Sequence, residues 1–138
     1  RVPLKNVIYD ADGLQTFTRN SSQSGNLVGA IGFHNNAKPV VVQGKKENFK
    51  NLKAQVYEFF AQQVKDSKVF IQDNAFRKQV IEELEQINKN PILDDGKYAL
   101  EPKNKVRERL GRSPDFADAL AMRFYFELKG KPKVMIRW

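Results

Sequence analysis

No cysteine occurs anywhere in the chain. That excludes disulfides, thiolate zinc centres and a cysteine nucleophile, and it fits a reducing compartment. Histidine is present once, as His34. Without a second imidazole or a thiol a zinc site lacks ligands, so His34, in the run His34-Asn35-Asn36-Ala37-Lys38-Pro39, reads as a loop residue. No apolar run approaches the roughly 18–20 residues needed to cross a bilayer, and a membrane is not expected among the partners. The first residues, Arg1-Val2-Pro3-Leu4-Lys5, carry no signal-peptide pattern. A Gly-x-x-x-x-Gly-Lys phosphate loop is missing, which excludes an ATPase from this piece. So is a Gly-x-Ser-x-Gly nucleophile turn. There is no internal repeat and no low-complexity tract, and no initiator Met heads the chain, which reads as a segment of something longer.

What is there suits one globular domain spanning 1–138. The 138 residues are 41% hydrophobic and 29% charged, enough apolar material to bury a core. The charge is lopsided: 24 basic against 16 acidic residues, a net of +8. Such a balance favours a polyanionic partner, nucleic acid first and an anionic membrane surface second; simple solubility is the plainer explanation.

Short apolar runs alternate with helical patterns, the rhythm of an α/β fold. Val7-Ile8-Tyr9 reads as a buried strand that delivers Asp10 at its C-terminal end, where ligands gather in open α/β sheets. Asp10-Ala11-Asp12-Gly13 is equally a plain turn. Residues 14–26, rich in Gln, Thr, Ser, Asn and Gly, read as a flexible surface loop. Leu27 to Phe33 reads as a neighbouring strand, and Val40-Val41-Val42 as a brief extended edge. Phe49, Leu52, Val56, Phe59, Phe60 and Val64 mark an amphipathic helix from Asn48 to about Asp66. Val69-Phe70-Ile71 reads as another strand. Asn74 is placed to cap a helix running to about Lys89, with Phe76, Val80, Leu84 and Ile87 inward and Glu82, Glu83 and Glu85 on the solvated face. Lys97 to Leu100 reads as a strand after the Asp94-Asp95-Gly96 turn. The basic tail, 129–138, is either an edge strand or a loose end.

The most informative stretch is Gly111-Arg112-Ser113-Pro114-Asp115-Phe116-Ala117-Asp118-Ala119-Leu120. Ser113 is placed to cap a helix whose first residue is Pro114. Asp115 and Asp118 then lie about 60° apart on one face, while Phe116, Leu120 and Phe124 repeat at a spacing of four. Just before it runs a short basic helix, so that Lys103, Lys105, Arg107, Arg109 and Arg112 form five cations directly ahead of two acids. They can hold a phosphate backbone or form a solvated helix rim. Asp10, Asp115 and Asp118 together are the candidate catalytic acids and metal ligands. Hard cations such as Mg²⁺ and Mn²⁺ take carboxylate oxygens, and two such ions activate water and stabilise the leaving oxygen of a phosphodiester. The helix dipole alone also explains acids in a first turn.

The run from Tyr98 to Lys103, continued by Val106-Arg107-Glu108-Arg109-Leu110-Gly111-Arg112-Ser113-Pro114-Asp115-Phe116-Ala117-Asp118-Ala119-Leu120-Ala121-Met122, resembles the C-terminal end of the phage large terminase nuclease domain. Tyr9-Asp10-Ala11-Asp12-Gly13 resembles that family's second acidic strand, and Phe49-Lys50-Asn51-Leu52-Lys53 resembles the start of the following helix. The similarity spans about Val7 to Leu128 and is most specific at Gly-Arg-Ser-Pro-Asp.

The resemblance implies a ribonuclease-H-like mixed sheet flanked by helices, and a two-metal endonuclease, using Mg²⁺ or Mn²⁺, that cuts double-stranded viral DNA during packaging. Asp10 would be the second catalytic acid and Asp115 the third, with Asp118 additional, and Lys103 would lie near the site. Implied partners are the terminase ATPase domain of the same full-length chain, the portal and the small terminase subunit. The implied setting is the bacterial host cytoplasm, during phage assembly or from a prophage. The family's first strand and first catalytic acid lie upstream of Asp10, where only six residues precede Val7. The chain is therefore expected to lack the first strands, to bind metal weakly, to cut DNA weakly or not at all alone, and to self-associate through exposed apolar surface. The rival expectation is a non-catalytic DNA- or protein-docking module of the packaging machinery. A different ribonuclease-H-like enzyme, such as a resolvase, is a third.

Overall fold

A computed structural model describes residues 2–12, 29–44, 48–90 and 96–130. The loop expected at 14–26 lies outside the described residues, as does all of the tail beyond Gly130. The architecture is α/β. Strand β1 (Ile8–Asp10) pairs in parallel with β2 (Ile31–Phe33), in the register Ile8 to Ile31, Tyr9 to Gly32 and Asp10 to Phe33. Helices α1 (Leu52–Lys65), α2 (Arg77–Glu85), α3 (Lys103–Leu110), α4 (Asp115–Arg123) and α5 (Tyr125–Leu128) follow.

Helix α4 is the hub. It packs against β1, α1, α2 and α5, and it can approach them closely because its inward positions are Ala117 and Ala121, at 0% and 1% exposure. The core joins Phe33 of β2 to Leu52, Val56 and Tyr57 of α1 and Ala121 of α4, with Ile8, Ile87, Leu100 and Tyr125 packed around them. At Gly32 a side chain would meet the Tyr9 hydroxyl at 3.2 Å and Ala11 Cβ at 3.3 Å, so glycine here lets the Tyr9 ring lie close over the sheet.

Several expectations are corrected. Val69-Phe70-Ile71 forms no strand, and Phe70 is 88% exposed; β-propensity needs a partner strand to act on, and none pairs with it among the described residues. Lys97 to Leu100 is not a regular strand but is stitched on two sides. Tyr98 bridges in parallel to Phe49, and Leu100 bridges antiparallel to Lys89. Helix α1 begins at Leu52 rather than Asn48, because the Asn51 side chain accepts the Ala54 N–H at 3.0 Å and so acts as N-cap. Helix α2 stops at Glu85, short of Lys89, and the Asn74 side chain accepts the Phe76 N–H in a local turn instead of capping the helix.

The start of α4 also differs. Pro114 is the N-cap and makes no side-chain cap; Ser113 does not cap the helix. The missing acceptor comes from α2: Glu83, which is 0% exposed, accepts the Ala117 N–H at 2.9 Å and also binds Arg112. Glu83 therefore does not belong to the solvated face, whereas Glu82 and Glu85 are exposed.

Candidate functional site

Strand β1 ends by presenting two carboxylates side by side. Asp10 Oδ1 accepts the Asp12 N–H at 3.0 Å and the Asn35 side-chain amide at 3.3 Å. The same amide donates to Asp12 Oδ2 at 3.0 Å, and the Asn35 backbone N–H reaches that oxygen at 2.7 Å. His34 Nδ1 lies 3.0 Å from Asp12 Oδ1. Burial works to raise the Asp12 carboxyl, but the Asn35 bonds and His34 outweigh it and hold it below the usual range. Asn35, which follows β2, thus ties the end of that strand to the two acids at the end of β1.

The same turn feeds α1. The Leu52 and Lys53 N–H groups donate to the carbonyls of Ala37 and Asn35, at 2.8 and 3.1 Å. This fixes the first turn of α1, from which Lys53 reaches across to Asp118 on α4. Asp118 Oδ1 lies 2.8 Å from Lys53 Nζ and accepts the Tyr57 hydroxyl at 2.6 Å. Its other oxygen takes Lys103 Nζ at 3.3 Å. Burial alone would raise the Asp118 carboxyl; the charge and hydrogen bond of Lys53, then Tyr57 and Lys103, overcome that and hold it low. Burial, with the Asp118 charge added, pushes the Tyr57 phenol well up, so it stays a donor.

The other candidates divide clearly. Asp115 is exposed, and among the described residues no hydrogen bond or ion pair engages it. Lys103 joins the Asp118 cluster. Lys105 and Arg107 are exposed along α3 with no ion pair among the described residues. Arg109 is turned into the protein's own structure, donating to Glu101 at 3.0 Å and to the Gln86 carbonyl at 2.7 Å. Arg112 binds both Glu82, at 3.1 Å, and Glu83. Asp12, Asn35, Lys53 and Tyr57 also belong to these clusters, and the sequence reading offers none of them as a site residue. Only Asp12, two residues after Asp10, sits where a pattern search would look.

The chemistry of the donor set can be tested against a divalent ion. Asp10 and Asp12 give adjacent hard oxygens of the right kind. Asp118 is already neutralised by two ammonium groups. Among the described residues no three acidic or imidazole groups gather closely enough to hold a metal ion, so these residues do not by themselves fit a complete site.

No protein-family model matches the chain, and no curated protein matches it in sequence. Solved structures do. The nuclease domain of the large terminase subunit gp2 of bacterial virus Sf6 aligns at 22% identity with a TM-score of 0.60, over 84% of this chain and 63% of that one. A lysine-to-alanine variant of that domain with manganese aligns at 21% identity and a TM-score of 0.62, with the same coverage. The variant with calcium gives the same values. The chain spans 63% of the length of these structures and, over 84% of its own residues, has the fold of the nuclease domain of a phage large terminase subunit.

Proposed function

We propose that the chain is the nuclease portion of a phage DNA-packaging terminase, a metal-dependent endonuclease acting on double-stranded viral DNA. The observation that carries this reading is the fold likeness to a terminase nuclease domain with manganese, together with acids at the end of β1 and in the first turn of α4, the helix packed against β1. Asp10 and Asp115 are the proposed catalytic acids and metal ligands, and Asp118 is the third candidate. Asp12 joins Asp10 as an oxygen donor. The proposed ions are Mg²⁺ or Mn²⁺, two in the complete site, and completing it requires acid ligands beyond the pair that Asn35 bridges.

The chain's own residues have narrower roles. Asn35 orients Asp10 and Asp12, while Lys53 and Lys103 hold Asp118 ionised in place. Lys105 and Arg107, with Lys103, contact the phosphodiester backbone without reading bases. Arg109 and Arg112 brace α3 against Glu101 and α2, which supports the same surface from behind. The proposed partners are double-stranded DNA, the ATPase domain of the same full-length chain, the portal and the small terminase subunit. The proposed setting is the bacterial cytoplasm during phage assembly, or a prophage. No described helix is long and apolar enough to cross a membrane. The exposed apolar residues Phe70, Phe76 and Ile81 support self-association of this chain.

A plasmid-nicking assay with Mn²⁺ tests the reading. Weak nicking is expected, lost in Asp10→Ala and in Asp115→Ala. Nicking that survives both substitutions would sink the assignment of these acids.

The incomplete acid group favours one rival, a non-catalytic DNA- or protein-docking module. Calorimetric titration separates the two: Mn²⁺ binding that depends on Asp10 and Asp115 supports the nuclease, whereas salt-sensitive DNA binding with no Mn²⁺ uptake supports the module.

A further inference from the structure

A cavity of about 310 Å³ opens beside the Asp118 cluster and is lined by Lys50, Lys53, Lys103, Asn36, Asn51 and Asn90. It is distinct from the outward face of α3 that carries Lys105 and Arg107. Three helices begin at its wall: Asn51, Pro102 and Pro114 all line it, and they are the N-caps of α1, α3 and α4. Each helix start carries about half a positive charge, although the first N–H groups of α1 are taken by Ala37, Asn35 and Asn51, and the Ala117 N–H of α4 by Glu83. At α3 the N-cap residue, Pro102, offers no side-chain cap, and among the described residues no side chain accepts from the first N–H groups, so these remain open to a ligand. Glu101, the acid in the lining, is already bound by Arg109.

The side chains suit an anion equally well. Lys50 is exposed, and its backbone is fixed by the bond from its N–H to the Tyr98 carbonyl, at 2.8 Å. The Asn51 amide leans on Asn36 Oδ1 at 3.3 Å, which keeps the two asparagines together on one wall. The Asn90 backbone is pinned to the Ala99 carbonyl at 3.0 Å. Lysines supply charge, asparagines supply neutral donors, and the helix starts supply oriented dipoles, the combination by which proteins cradle phosphate.

We propose that this cavity is a phosphate subsite that seats a backbone phosphodiester of the DNA strand flanking the acid site. The inference rests on the nuclease reading for the identity of the strand, but the anion chemistry stands on the cavity itself. A strand seated here would pass Lys53 and Lys103 before reaching Asp118, which fixes one side of the acid cluster as the entry path.

The test uses the 138-residue chain in EDTA, so that metal plays no part. Fluorescence anisotropy with a short labelled DNA duplex is recorded across a salt series for wild type, Lys50→Ala, Lys50→Gln and Lys78→Ala. Lys78 is an exposed lysine on α2, outside the cavity. Both Lys50 variants are expected to weaken binding several-fold and to lower the slope of log K against log salt by about 0.9, the value for one phosphate contact. Lys78→Ala is expected to change neither. Matching thermal unfolding curves for the variants remove misfolding as a cause.

Amide NMR with inorganic phosphate as probe should move the Lys103 and Asn104 resonances at the α3 start, and DNA should reverse the shift by competition. Equal slopes for Lys50→Ala and Lys78→Ala would overturn the proposal. So would phosphate shifts confined to other parts of the chain. Phosphate that DNA cannot displace would mark a free-anion site and overturn the strand assignment. Mn²⁺-dependent nicking that persists while Lys50→Ala proves silent defeats the subsite alone. Intact Lys50-dependent binding with no nicking defeats the nuclease reading alone.

Discussion

Asp118 receives a phenol and two ammonium groups on its two oxygens, so its charge is structural before it is anything else. Its carboxyl is held below the ordinary value despite burial. The sign of the pH effect follows: a depressed folded pKa adds stability that is fully present above the unfolded value of about 3.9 and is lost as pH falls through the folded value. Asp118→Asn should therefore destabilise the protein more at pH 7 than in strong acid. Urea unfolding at pH 7 and below pH 3 would check this, and an equal loss at both would refute it. Glu83 makes a second residue-scale case. Glu83→Ala removes a charged acceptor from the Ala117 N–H and leaves Arg112 without its buried partner. The lost hydrogen bond alone is worth about 1.5–3 kcal/mol, measurable as a shift in the denaturation midpoint. Neither partnership was legible in the sequence. Glu82, Glu83 and Glu85 look alike on a helical wheel, and what turns Glu83 inward is an arginine 29 residues away. Asp10, by contrast, was legible, because a short apolar strand ending in an acid carries its own local signal.

At the scale of the element, helix ends divide into those the local sequence specifies and those it does not. Gly111 closes α3 with φ +72°, its N–H bonded to the Arg107 carbonyl, as an apolar-periodic run followed by glycine announces. Gly111→Ala should cost about 1–2 kcal/mol from left-handed strain. A calorimetric melt would detect it, and an unchanged Tm would contradict the strain argument. Ser67 holds the equivalent conformation after α1 at φ +57° without being glycine. Ser67→Gly should stabilise the chain by up to about 1 kcal/mol. The start of α4 departs from its local sequence: Ser-Pro-Asp supplies a plausible cap, while the acceptor in use comes from α2. The failed strand at Val69 to Ile71 has the same cause in reverse: the local preference is present, and among the described residues no strand pairs with it. Likewise, residues 97–100 find one partner at Phe49 and another at Lys89, a split that no alternation pattern encodes.

For the whole molecule, the count of 24 basic residues overstates what can face DNA, because part of the basic set is paired internally. Arg109 is engaged by Glu101 and Gln86, and Arg112 by Glu82 and Glu83, while Lys105 and Arg107 stand exposed on α3. The five cations that read as one basic run in the sequence therefore divide by function. Lys105→Ala and Arg107→Ala should each reduce the salt dependence of duplex binding by about one phosphate's worth, a slope change of about 0.9, and leave thermal stability unchanged. Arg109→Ala and Arg112→Ala should do the opposite, lowering the melting temperature while altering the salt slope little. A salt series by anisotropy, run beside thermal unfolding on the same four variants, decides the matter. If all four change the slope alike, the internal ion pairs open when DNA binds, and the division drawn from the free protein does not survive in the complex.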